Sequence, residues 1–127
     1  MNKTRYYLLA VLFFCGNVIY GNAFGADTDA LKTMAGIMMN LHHYASDSEK
    51  KMLNSIGADG SNSKDVRTIA KAMARIEHTA ADTDKPKLQS IIDDNNAPQN
   101  VRDLASIVLH IAHMPSAEDK NKLKGMM

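Results

Sequence analysis

A histidine recurs at one fixed spacing, at His43, His78 and His113, each 35 residues from the next. Imidazole can ligate a metal, carry a proton near neutral pH, or serve as a cation at a helix end. A basic residue stands upstream of each histidine, at Lys32, Arg67 and Arg102. His110 adds an i, i+3 partner for His113, and Met38–His42 and Met39–His43 form i, i+4 pairs. Thioethers beside imidazoles suit copper. The candidate metal ligands are therefore His43, His78, His113 and His110, with copper or haem as the bound species. Lys32, Arg67 and Arg102 form a candidate partner-binding row.

The elements that must position these residues follow from a repeat. Three segments starting at Leu31, Val66 and Val101 align without gaps at an offset of 35. Apolar positions recur as Met34, Ile69 and Leu104, then Met38, Met73 and Val108, then Leu41, Ile76 and Ile111. Alanine recurs at 35, 70 and 105, and leucine at 53, 88 and 123. The spacing of three and four is that of an amphipathic helix. Start signals precede each first helix at Thr28–Asp29, Ser63 with Asp65, and Asn96 with Pro98. Ser46-x-x-Glu49 and Ser116-x-x-Asp119 read as capping boxes that open a second helix, and Pro86 fits a first turn in the middle copy. Glycine- and asparagine-rich segments at 57–63 and 93–98 separate the copies. No stretch alternates as a strand.

The fold class predicted is all-α: three tandem 35-residue helical hairpins, about 29–63, 64–98 and 99–127, stacked as a short solenoid or a six-helix bundle. On a helical wheel at 100° per residue the apolar stripe centres about 25° to one side of position 31. Position 43 then falls near 120°, off the core stripe. The histidines then sit late in each first helix, on the flank that carries Lys32, Arg67 and Arg102. In that place the favoured reading is structural: each histidine complements the helix dipole or hydrogen-bonds a free carbonyl at the turn, ahead of a metal-binding or partner-binding role. Stacked helices lie ~8–10 Å apart, and a zinc–nitrogen bond is ~2.0–2.1 Å. An open stack cannot bring successive histidines to one ion, whereas a closed arrangement can.

The N-terminus reads as a leader. Lys3 and Arg5 precede a nine-residue apolar run, Tyr6–Phe14, too short for a membrane span. Small residues at Gly21, Ala23, Gly25 and Ala26 place cleavage near 23–26, giving a signal peptide over 1–26 and a mature domain over 27–127. Cys15, the single cysteine, follows Phe14, and a bulky residue there disfavours lipid modification. The mature part then has no thiol chemistry and no disulfide. Loss of Lys3 and Arg5 takes the formal charge from +1 to −1, 13 Lys and Arg against 14 Asp and Glu. Such a balance makes no electrostatic case for nucleic acid. No apolar run of membrane-spanning length remains. No nucleophile–base set or phosphate loop is present, so catalysis is not expected. The reading is a periplasmic or secreted helical-repeat protein that acts by binding an unidentified protein or small ligand. The alternative is a carrier of copper or haem through His and Met.

Overall fold

The computed structural model describes residues 25–127; the proposed leader over 1–26 falls outside them but for its last two positions. The described residues form six helices and no strand. They are α1 (25–39), α2 (Asp47–Ala58), α3 (Lys64–Ala74), α4 (Lys85–Asp93), α5 (Gln99–His110) and α6 (Ala117–Lys124). None is long and apolar enough to cross a membrane.

Most helix starts follow local chemistry legible in the sequence. Ser46 and Ser116 accept from the backbone N–H of Glu49 and Asp119, whose carboxylates reach back to the serine N–H, closing both capping boxes. Ser63 caps α3 by accepting from the Val66 N–H, and Pro86 lies in the first turn of α4. One start differs. Residues 25–39 are already helical, so Thr28 and Asp29 lie inside α1 rather than at its cap. Asp27 instead reaches across to accept the Ser63 N–H at 2.7 Å, helping to fix the loop that leads into α3.

The recurring apolar positions build the core. Met34, Ile69 and Leu104 are fully buried, as are Ala35, Ala70 and Ala105, and Leu53, Leu88 and Leu123. Each large side chain in this set contributes ~1.5–3 kcal/mol by leaving water. The three alanines leave room for close helix approach. Among α2–α6, packing is most extensive between α2 and α3 and between α4 and α5, and α3 also meets α5. These tight pairs straddle the sequence repeats, turning through short loops in which Asp59 and Asp94 accept backbone N–H groups two residues on. The longer segments at 40–46, 75–84 and 111–116 link the pairs and carry the histidines.

Candidate metal centre

The helices stop before the histidines. The helical residues end at 39, Ala74 and His110, although Leu41, Ile76 and Ile111 remain buried beyond them. An extended residue at Ile111 (φ −61°, ψ 136°) keeps its side chain in the core without continuing the helix. The stripe at position 41 and its counterparts therefore overstates helix length, and the placement of His43, His78 and His113 in a last helical turn is corrected. No helix dipole accounts for them.

Each histidine occupies the left-handed region, at φ 68°, 68° and 69°; they are the only non-glycine residues to do so among those described. The Tyr44 N–H donates to His42 O and the Met114 N–H to Ala112 O, both at 2.8 Å. His43 and His113 thus centre tight three-residue turns, a strained conformation for a residue with a Cβ. At the third position Glu77 N–H donates to Thr79 O at 3.2 Å. Strain repeated at three sites marks a position where the surroundings hold the backbone against its preference.

The three turns meet. His43 N–H donates to His113 O at 2.6 Å, His113 N–H to His78 O at 2.7 Å, and His78 N–H to His43 O at 2.7 Å. This closed circuit joins the first copy of the repeat to the third, so the arrangement is a ring and not an open stack. The rings follow the backbone. Nδ1 of His43 lies 3.0 Å from Nδ1 of His78 and 3.0 Å from that of His113, and the last pair is 3.1 Å apart. Ring centroids are 4.9–5.0 Å apart with interplanar angles of 67–79°, a three-bladed propeller. All three residues are exposed.

Three mutual contacts of this length cannot all be hydrogen bonds. A neutral imidazole Nδ1 is either a donor or an acceptor. Among three, two must be of the same kind, so at least one short contact sets lone pair against lone pair or hydrogen against hydrogen. A cation accepting three lone pairs removes the conflict. The donor set fits: imidazole nitrogens suit divalent zinc, copper and nickel, and the spacing lets one ion reach all three at ~2.0–2.1 Å.

The other predicted residues lie elsewhere. His110 ends α5 with its Nδ1 2.9 Å from Ser106 O and does not join the cluster. Met34, Met38 and Met73 are core residues. Lys32 is exposed and Arg67 and Arg102 are half-buried, each arginine with its Nε buried and unbonded. The arginines lie in the first turns of α3 and α5, with ~10 Å of helix between them and the histidines. The shared flank expected for the basic row and the histidines is not formed, because the chain leaves the helix first.

One interaction was not anticipated. Asp84, 1% exposed, accepts from Nε and Nη2 of Arg75. That contact raises the Arg75 pKa further above its ordinary value, against a smaller opposing effect of burial. The signal was a break in the repeat. Ala81 stands where the other copies have Ser46 and Ser116, and Arg75 where they have Asn40 and His110. Without a capping serine, Asp84 finds the guanidinium. Beside this pair a groove between α3 and α4 is lined by Lys64, Lys71 and Lys87 but also by Asp65 and Asp94. Burial, and then the Asp94 charge, push the Asp65 carboxyl up. A groove of mixed sign does not select one ligand charge. Comparison of the chain with family models, with curated proteins and with solved structures finds no match.

Proposed function

We propose that this chain is an exported helical protein that binds one divalent transition-metal ion through Nδ1 of His43, His78 and His113. The observation that carries the reading is the convergence of three exposed imidazole nitrogens within 3.1 Å, a number that hydrogen bonding alone cannot satisfy. Strained turns at all three ligands support it, since such strain clusters at ligand-binding positions. The geometry favours a bare ion over haem. A haem iron already has four porphyrin nitrogens, and three imidazoles on one side of it leave no room for the macrocycle. For nitrogen ligands affinity should rise from Co²⁺ through Ni²⁺ to Cu²⁺. Binding excludes protons from three nitrogens, so affinity should fall as pH falls.

Titration of untagged protein with Cu²⁺ or Ni²⁺, followed by calorimetry, should give one ion per chain. His43→Asn, His78→Asn and His113→Asn, each keeping a residue that tolerates positive φ, should each weaken it by ~100-fold or more. Binding that survives all three changes would refute the site. Export rests on the basic start and apolar run of residues 3–14 and the small residues near 23–26. The mature N-terminus is expected between Phe24 and Asp27, as read by intact mass of protein recovered from outside the cytoplasm. A full-length or lipid-modified mass would count against that part of the proposal.

A further inference from the structure

We infer that the ion bound by the histidine triad keeps three coordination positions for a small anionic amino-carboxylate chelate, so that the ligand taken is a metal–chelate complex. The inference rests on the metal-binding reading above and adds the class of co-ligand.

Two observations carry it. The first is the nitrogen spacing. With edges of 3.0–3.1 Å, each Nδ1 lies ~1.75 Å from the centre of the triangle. An ion ~2.1 Å from each nitrogen then sits ~1.1 Å out of their plane, with N–metal–N angles of about 90–95°. A tetrahedral ion needs nitrogens about 3.4 Å apart. The triad matches one face of an octahedron, and the opposite face is left for three further donors.

The second is charge. Among the described residues the cluster consists of three histidines and contains no carboxylate. Neutral imidazoles leave the full double charge of the ion uncompensated. Glu77, next to His78, is exposed and lines a hollow with Tyr44 and Lys50, but its carboxylate is not among the clustered donors. With no carboxylate in the cluster among the described residues, an anionic co-ligand would supply the compensating charge. Because all three ligands are exposed, a co-ligand can reach the ion without rearrangement. An amino-carboxylate that grips an ion at three positions supplies both the missing donors and the missing charge.

The test uses untagged protein and three nickel probes: Ni²⁺ alone, Ni²⁺–iminodiacetate, which leaves three positions free, and Ni²⁺–nitrilotriacetate, which leaves two. Calorimetry gives affinity, and native mass spectrometry gives composition. Ni²⁺ alone should bind with one ion per chain. The iminodiacetate complex should bind intact as one chain, one ion and one chelate. The nitrilotriacetate complex should bind ~100-fold more weakly, because one imidazole is shut out. Equal affinity for the two chelates would overturn the inference, as would loss of iminodiacetate on binding. Two chains on one ion would also overturn it, assigning the open face to a second triad. So would a large loss of Ni²⁺ affinity in Glu77→Gln, which would place the anion within the chain. If Ni²⁺ alone fails to bind, the metal-binding reading falls as well; if it binds and only the chelate arms fail, that reading stands and the co-ligand does not.

Discussion

Saturating Ni²⁺ should raise the melting temperature of the protein by roughly 10–20 °C and leave His78→Gly unmoved, while metal-free His78→Gly melts no lower than the metal-free parent. The first part follows from linkage. An ion at a hundred times its dissociation constant stabilises the folded state by ~2.7 kcal/mol, and each kcal/mol moves a domain of this size by ~4–8 °C. The second part follows from φ. His78 stands at 68°, inside a circuit of backbone hydrogen bonds that holds it there. A residue with a Cβ stores ~1–3 kcal/mol in such a turn, whereas glycine costs ~0.5–1 kcal/mol in unfolded-chain entropy. The imidazole is exposed, so its removal sacrifices little burial. The balance favours glycine in the absence of metal and histidine in its presence. Differential scanning fluorimetry of the two proteins, with and without Ni²⁺ and with chelator as control, gives all four values. A metal-free His78→Gly that loses more than ~1 kcal/mol would show that the ring is structural. A variant that still responds to Ni²⁺ would move the ion elsewhere.

Arg75→Met should cost ~2–3 kcal/mol, and Asp84→Asn only about 1 kcal/mol. The two partners differ in what their loss leaves behind. The Asp84 side chain is 2% exposed, and that of Arg75 is 49% exposed. Without Arg75 a carboxylate stays buried with no counter-charge, a situation that costs ~3–5 kcal/mol when both partners are buried and less when one was half in water. Without the carboxylate the guanidinium turns to solvent. Ala81→Ser in the Arg75→Met background should restore ~1 kcal/mol, because a serine there rebuilds the capping box of the other two copies around Asp84. Urea unfolding of the three variants is sufficient. Equal losses for the two single changes would mean that burial of Asp84 is not what makes the pair matter.

These residues also show how far the sequence carried. The core was readable because side chains at 34, 69 and 104, or 53, 88 and 123, repeat at one offset and must share one environment. The capping boxes were readable because Ser and an acid three residues on leave little choice of local structure. The turn at His43 was not. Positive φ is ordinarily announced by glycine or asparagine, and Leu41 extends the helical spacing past the helix end. An apolar residue at the right interval is buried equally well by an extended segment that points inward, and periodicity cannot separate the two. Convergence of the histidines was left open by the choice between stack and ring. That choice is made by contacts between residues 35 and 70 positions apart, which no local pattern encodes. The Arg75–Asp84 pair was visible only as a departure of one copy from the other two.

If the histidine triad binds an ion as proposed, the hydrogen-bonded circuit bears on when and where that ion is acquired. Its three bonds link residues separated by 35 or 70 positions, and contacts of that separation form late, after the chain entropy of closing long loops has been overcome. A chain that has emerged only as far as its second histidine has two ligands and no ring. An unfolded chain has three ligands scattered over dimensions far larger than a coordination sphere, and holds no ion tightly. If the chain crosses its membrane unfolded, it therefore cannot carry cytoplasmic metal out with it. On the proposed metal-binding reading it would then be loaded where it folds, and the ion recovered with it would record the compartment in which the last of its histidines arrived.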